Sequence, residues 1–394
     1  MEKNIREDLI ELSITNLIQC LEENNKKEVF VKDLNKGEYP KIVSLMRQES
    51  TIIQMRQFHN WIKSTLITNI TEYYYSMKKN NRVALLDIAV GRGGDLMKWS
   101  NAYITDVFGF DISPEAIYSK NPDNPGAVER LKHLKNYKTK VQFAIGDATR
   151  PLENSDGNPT GSQIPGIDSL ITKYLISTRL KQFDLVSCQF SLHYYFSSES
   201  ALRNMLALVS KFLKPGGYFF GTTVDGDSIK KYFGTSNRVI KRSIYKIERM
   251  FNNKLKSPFG NKYTFTIFDN KDKTNYFNTI PISEEYLTDF KILNLIAKQY
   301  SLEPVNLNFF EPYYVDNKKT YTKNDTNIMS FEDIYRLMRW NPQNPQNPEG
   351  SRNPEVPSGS QNPEVPSGSQ NPRNITPEQL ELSFLNSAFV FRKI

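Results

Sequence analysis

Val83-Ala84-Leu85-Leu86-Asp87-Ile88-Ala89-Val90-Gly91-Arg92-Gly93-Gly94-Asp95-Leu96, followed by Val107-Phe108-Gly109-Phe110-Asp111-Ile112-Ser113, decides the fold. The first half is a short aliphatic run without helical period, which reads as a buried strand. It passes through Asp87 into a glycine-rich turn, and Leu96-Met97-Lys98-Trp99 starts a helix. A second apolar strand ends in a second acid, Asp111. Strand, glycine turn, helix, strand and acid make half of a doubly wound sheet, with a ligand at the carboxyl ends of the strands. Gly91 and Gly93 suit positive φ and a close approach of backbone to that ligand. An acid about 20 residues further on suits ribose hydroxyls; Asp111 fits.

The turn lacks the third glycine of a dinucleotide site, since Leu96 stands there. The Asp-x-x-x-Gly-x-Gly-Gly form instead resembles motif I of S-adenosylmethionine-dependent methyltransferases. That resemblance implies S-adenosylmethionine, rather than a nicotinamide cofactor, beside Asp87, Gly91 and Gly93.

With 394 residues, 38% hydrophobic and 24% charged, the chain is long enough for a deep core, and its composition is globular. No apolar run approaches the roughly 18 residues of a membrane span, and Met1–Asp8 has no apolar signal core. Cys20 and Cys188 offer no metal spacing and suit a reducing compartment, so no metal site is expected. A net charge of +8 suits a polyanion such as RNA.

Residues 1–50 read as an N-terminal extension, with a helix near 6–24 and a strand near 29–31. They could equally be the tail of a preceding domain in a larger enzyme. Residues 51–394 read as the main domain. A helix over 52–79 carries Ile52, Phe58, Ile62, Leu66, Ile70 and Tyr73 near one stripe. Asn60 and Lys63 share one of its edges. After Asp111, Ser113-Pro114 caps a helix. Val141–Asp147 reads as a third strand, and Asp147 at its end suits an adenine amine. Residues 151–180 read as a loop insertion that turns mildly helical. Phe183–Ser191 reads as a fourth strand, continuing into Leu192-His193-Tyr194-Tyr195-Phe196, so that His193 and Tyr194 face the crevice. A helix near 198–212 and a tight turn at Lys214-Pro215-Gly216-Gly217 lead to a strand at Tyr218–Thr223. The span 224–340 reads as a lid, with a strand at Pro258–Phe268 and a loop and helix start at Pro281–Leu287. Residues 341–373 hold two copies of Asn-Pro-Glu-Val-Pro-Ser-Gly-Ser-Gln, starting at Asn353 and Asn362, and read as a disordered loop. Ser387–Lys393 closes the sheet.

Taken together, these pieces resemble the eukaryotic and viral mRNA cap guanine-N7 methyltransferases over roughly residues 50–394. Three motifs carry the resemblance: Asn60-Trp61-Ile62-Lys63, Leu86 through Trp99, and Gln189-Phe190-Ser191-Leu192-His193-Tyr194. It implies a Rossmann-like class I fold: a mostly parallel seven-stranded sheet, helices on both faces and a cap-binding lid. It also implies roles. Lys63 pairs with the methionine carboxylate of S-adenosylmethionine, Gly91 lines the methionine, Asp111 holds the ribose, Asp147 meets the adenine amine and Gln189 contributes backbone contacts. Asn60, His193, Tyr194 and Glu285 contact the guanine, with Glu284 the rival of Glu285. Arg92 or Lys98 reaches phosphates.

Two positions depart from the family pattern. Asn386 stands where a tyrosine usually packs on the guanine, with Phe384 or Phe389 as neighbouring substitutes. His59 stands where a second asparagine is common. The expected partners are a capped RNA 5′ end and a triphosphatase and guanylyltransferase, in trans or upstream in the same polypeptide. The expected place is nucleus or cytoplasm, including a viral factory or virion if the Asn/Lys/Tyr-rich chain is that of a large DNA virus. The competing readings are another methyltransferase and a silent RNA-binding subunit keeping the fold.

Overall fold

The computed structural model describes residues 50–78, 82–122, 124–152, 167–252, 254–268, 282–305, 327–339 and 375–394, all within one unit, Glu49–Ile394. The helix expected at 6–24, the strand at 29–31 and the repeat loop at 341–373 lie outside these residues. So do positions 153–166 of the expected insertion.

Strands covered by helices on both faces need apolar side chains throughout, not in alternation. Accordingly β1 (Ala84–Ile88) and β2 (Asp106–Asp111) are buried almost end to end. With β3 (Lys140–Ile145), β4 (Phe183–Gln189) and β5 (Leu213–Val224) they form a parallel sheet in the order β3-β2-β1-β4-β5. The final strand β12 (Asn386–Lys393) lies antiparallel on β5. Two short strands, β10 (Leu302–Pro304) and β11 (Ile328–Ser330), pair antiparallel with β12 and bring the sheet to eight strands, not the seven expected, because both fold back onto the last strand from distant segments. The strand order reverses direction between β1 and β4, where such sheets open a ligand crevice at their carboxyl ends.

One face of the sheet is covered by α1 (Ile53–Lys78), whose buried Phe58, Ile62, Leu66, Ile70 and Tyr74 recur every fourth residue. The other face packs on the helices Ile167–Thr178, Glu199–Phe212 and Phe290–Gln299. Asp184, buried at the start of β4, ties α1 to the sheet. It accepts from Tyr74 Oη at 2.6 Å, Lys214 Nζ at 2.7 Å and Ala84 N at 2.8 Å. Tyr74→Phe removes one hydrogen bond to a charged acceptor and leaves the other two. It should cost about 1.5 kcal/mol, read as a lower urea midpoint at unchanged slope.

Two further expectations change. Lys214–Gly217 is not a turn before a strand but an irregularity within β5: Phe183 faces Leu213, and Leu185 faces Tyr218. A Cβ on Gly217 would sit 2.5 Å from the Asp184 carbonyl oxygen, so only glycine lets the strands approach there. Ser283–Tyr286, expected as loop and helix start, is a strand. It pairs antiparallel with Lys262–Ile267, and that pairing outweighs local preference.

The second sheet contains β6 (Val239–Lys241), β7 (Tyr245–Arg249), β8 (Lys262–Ile267) and β9 (Ser283–Tyr286) in that order. Its inner face buries Ile240, Tyr245, Ile247 and Tyr263 with Ile229 and Phe233 of the helix Gly226–Phe233. Among the described residues of the span 224–340, this part stands apart from the main sheet. Phe290–Gln299 packs on the main core, and Phe331 and Ile334 pack beneath α1.

Candidate active site

The carboxyl ends of β1 to β4 bring the acids together. After β1 the chain turns sharply, with φ of +58° at Ala89, +55° at Gly91 and +70° at Gly93. Asp111 fixes this turn: its Oδ2 accepts from Gly91 N at 2.8 Å and its Oδ1 from Ser113 N at 2.9 Å. A Cβ on Gly91 would meet nothing within 4 Å, so the space in front of that backbone is open. Asp147 Oδ1 accepts from Thr149 N at 2.8 Å and Thr149 Oγ1 at 2.7 Å, and Arg150 stands 3.6 Å from its Oδ2.

Asp87 is 2% exposed and its Oδ1 has no hydrogen-bond partner. Burial and the neighbouring Asp95 raise its carboxyl well above the ordinary range. Burial also works against an ionised Asp95, but Lys63 and Lys98 overcome it and hold that carboxyl low. Lys63 Nζ lies 2.6 Å and Lys98 Nζ 3.0 Å from Asp95 Oδ1. Lys63 therefore stands at the mouth of β1 with an acid partner of its own. In the sequence Asp95 stands out only as part of the glycine motif.

A ligand with ribose hydroxyls, an exocyclic amine and an ammonium group offers donors to Asp111, Asp147 and the open Oδ1 of Asp87. Its carboxylate could take the place of Asp95 as partner to Lys63. The donor set thus fits S-adenosylmethionine.

The second half of the site is built between the two sheets. Phe190, at φ +53°, donates from its backbone N to Thr222 O at 2.7 Å and bends the chain out of β4. The 3-10 helix Leu192–Ser197 then turns His193 inward and Tyr194 outward, to 2% and 42% exposure. Their ring centroids lie 4.2 Å apart. His193 Nδ1 stands 3.4 Å from Thr223 Oγ1, while Nε2 has no hydrogen-bond partner and lies 3.9 Å from Glu285 Oε1. Burial lowers the His193 pKa, against the opposing pull of Glu285.

Glu285 is itself buried, accepting from Tyr263 Oη at 2.6 Å and more weakly from Ser283 Oγ at 3.4 Å. Tyr263 is its cross-strand partner, and burial together with Glu285 keeps the phenol protonated. Glu284, one residue away, turns to the opposite face and pairs with Lys262 at 2.7 Å. Tyr194 Oη reaches Ser283 Oγ at 3.3 Å. Tyr263 and Thr223 carry no sequence signal beyond lying on strands, and Ser283 carries none on its expected loop.

The remaining expected residues are held as follows. Asn60 is exposed on α1. The Gln189 side chain is held in a polar ladder, donating to Ser187 Oγ at 3.1 Å and accepting from Thr222 Oγ1 at 3.0 Å. Arg92 is engaged by Glu115 Oε1 at 2.5 Å and Asn124 O at 2.7 Å, and Lys98 also donates to Gly94 O at 2.9 Å. Asn386 is buried and donates to Leu382 O and Ser383 O, closing the helix Pro377–Ser383. Phe389 is fully buried against Phe219, and Phe384 packs on Tyr335. Among the described residues no three His, Cys, Asp or Glu side chains are grouped to hold a metal.

His59 stacks on Phe190, with centroids 5.1 Å apart, and its Nε2 meets Ser383 Oγ at 2.9 Å. Burial and Lys63 lower its pKa to about 3. Between that value and the free value the unfolded chain binds one more proton than the folded one. His59 therefore makes stability rise with pH up to the free histidine pKa and lose about 1.4 kcal/mol per unit below it. Urea midpoints measured from pH 7 to 5 should fall less steeply in His59→Asn than in the parent.

Five parallel strands, an antiparallel strand on β5 and acids at three neighbouring strand ends define a Rossmann-like class I S-adenosylmethionine-dependent methyltransferase fold. A family model described as an mRNA (guanine-N(7))-methyltransferase domain matches residues 19–394, and the chain belongs to that family. It is 31% identical over 265 residues to mRNA cap guanine-N(7) methyltransferase 1 of Arabidopsis thaliana, covering 66% of this chain and 61% of that one. The corresponding Caenorhabditis elegans protein is 30% identical over 275 residues, covering 66% and 63%. The chain thus spans about three-fifths of the length of these relatives. A protein named probable mRNA-capping enzyme from Acanthamoeba polyphaga mimivirus is 30% identical over 251 residues, which make up 20% of that protein.

Proposed function

We propose that this chain methylates N7 of the guanine in a GpppN RNA cap, using S-adenosylmethionine. The observation that carries the reading is the buried His193–Glu285–Tyr263 group, with the Tyr194 ring at its mouth, beside the acid-lined end of β1 and β2. When bound, S-adenosylmethionine supplies a methyl group activated by its sulfonium. Guanine N7 presents a lone pair, so the chain needs no general base. Its task is alignment and charge.

Holding nucleophile and methyl carbon in line is worth up to about 7–11 kcal/mol in favourable cases. His193 and Asn60 would fix the guanine edge, and Tyr194 would cover the ring. As the purine becomes cationic, the buried Glu285 carboxylate stabilises it, and the Tyr194 face adds cation–π attraction. Lys63 and Asp111 hold the donor, with Asp147 at the adenine and Asp87 at the ammonium. The 5′ ends it would act on come from a triphosphatase and a guanylyltransferase, in trans or in the same polypeptide. Either nucleus or cytoplasm would serve, and no helix among the described residues is long and apolar enough to cross a membrane.

The test is methyl transfer from labelled S-adenosylmethionine to GpppA-capped RNA, followed by cap digestion. Label at N7, absent with uncapped RNA, supports the reading; cofactor binding without transfer turns it toward a silent RNA-binding subunit. His193→Ala should lower kcat/KM for the cap about tenfold through lost guanine positioning, about 1.4 kcal/mol, and leave cofactor affinity unchanged. A parallel loss of cofactor affinity would remove His193 from the guanine site.

A further inference from the structure

The chain's positive charge is not spread evenly. Between Lys230 and Lys262 ten lysines and arginines face a single acid, Glu248, so this stretch alone carries more than the whole chain's net +8. Lys230, Arg242, Lys246 and Lys262 are engaged by Asp227, Glu381, Glu248 and Glu284. Lys231, Arg238, Lys254 and Lys256 stand exposed.

The strand register gathers them at one end of the small sheet. Arg249 N donates to Arg238 O at 2.8 Å and Met250 N to Lys262 O at 3.1 Å, while Lys262 pairs across to Tyr286. The starts of β6 and β8 and the ends of β7 and β9 therefore lie in one row. Lys231 closes the helix that leads into β6, and Lys254 and Lys256 ride on the connection between β7 and β8.

That connection runs to the proposed guanine pocket. Phe259 stacks on Phe196 with centroids 5.7 Å apart, and Gly260 N donates to Phe196 O at 2.9 Å. Phe196 lies two residues beyond Tyr194 on the same 3-10 helix. Lysines often shield exposed edge strands, which would account for Lys241 on β6. Lys254 and Lys256 instead join two paired strands, where no edge needs shielding.

We propose that Arg238, Lys254 and Lys256, with Lys231 beside them, hold backbone phosphates of the RNA chain that follows the cap. The proposal rests on the cap reading above. Phosphate contacts of this kind fix orientation without reading sequence. Each contact to single-stranded RNA adds about 0.7 to the slope of log affinity against log salt.

The test combines Arg238→Ala, Lys254→Ala and Lys256→Ala in the full chain, with unfolding midpoints to confirm an intact fold. Methyl transfer is compared on the dinucleotide GpppA and on a capped RNA. Binding of a 5′-triphosphate RNA is followed separately by fluorescence anisotropy across salt concentrations. The expected result is a KM for capped RNA raised about tenfold with GpppA kinetics unchanged, and a salt slope shallower by about 2. Unchanged RNA kinetics and salt slope overturn the proposal. So does a parent enzyme that treats GpppA and capped RNA alike, as it would if an acidic protein occupied this surface. Should the parent methylate neither substrate while RNA binding still depends on the three residues, the cap reading falls and the surface stands.

Discussion

Asp111→Ala is expected to raise the dissociation constant for S-adenosylmethionine by at least about 100-fold. Two effects add. The carboxylate would lose its hydrogen bonds to the ribose hydroxyls, each worth about 1.5–3 kcal/mol for a charged acceptor. It would also release Gly91 N and Ser113 N, which it now holds at 2.8 and 2.9 Å. With Ala89 and Gly91 both at positive φ, the turn after β1 would lose the acceptor that keeps it folded back on β2. Asp111→Asn separates the two effects. Its amide oxygen can still accept from one backbone N–H, so the turn is partly kept while the charge is lost, and an intermediate affinity is expected. Isothermal titration of each variant with S-adenosylmethionine, alongside urea unfolding, provides the measurement. Unchanged affinity in Asp111→Ala would take the residue out of the ribose role.

Most of the main sheet was legible because its signals are local. A strand covered on both faces must be largely apolar, and Ala84–Ile88, Val107–Phe110 and Phe183–Val186 are, with Asp87 and Asp184 the charged exceptions. Asp111 could be paired with the glycine turn because β1 and β2 are adjacent strands ending at one level, where Ile88 faces Phe110. The second sheet was less legible because its pairings join distant segments. Ser283–Tyr286 is a strand only because Lys262–Ile267 lies beside it, and nothing within four residues encodes that. The two-residue period of β9 sends Glu285 inward and Glu284 outward, a distinction unavailable while the segment read as loop.

Ion pairing is the other source of surprise. Arg92 and Lys98 look free to reach phosphates in the sequence, yet Glu115, Asn124 and Asp95 take them up. A sequence reveals that a side chain is charged, but not which partner the fold will bring to it. Asp95 shows the converse. It lies inside the most readable motif of the chain, and its grip on Lys63 at 2.6 Å appears only once α1 packs across the end of β1.

Glu285→Gln is expected to lower kcat/KM for cap methylation by about 100-fold, near 2.7 kcal/mol, with S-adenosylmethionine affinity unchanged. Glutamine keeps the shape of the side chain, and its carbonyl oxygen can still accept from Tyr263 Oη, now at 2.6 Å from the carboxylate. What it removes is a negative charge buried to 7% exposure beside His193. His193 is driven toward its neutral form by burial, so it does not itself offset that charge near neutral pH. The positive charge that develops on the purine during transfer would then be the natural partner of Glu285. The neutral substrate purine gains less from it. The substitution should therefore act mainly on kcat, and it should weaken binding of the product cap m7GpppA more than binding of GpppA. Tyr263→Phe, which leaves the carboxylate in place but frees one oxygen, should have a smaller effect on both. Equal losses of affinity for GpppA and m7GpppA in Glu285→Gln would mean that the residue shapes the pocket without meeting the developing charge.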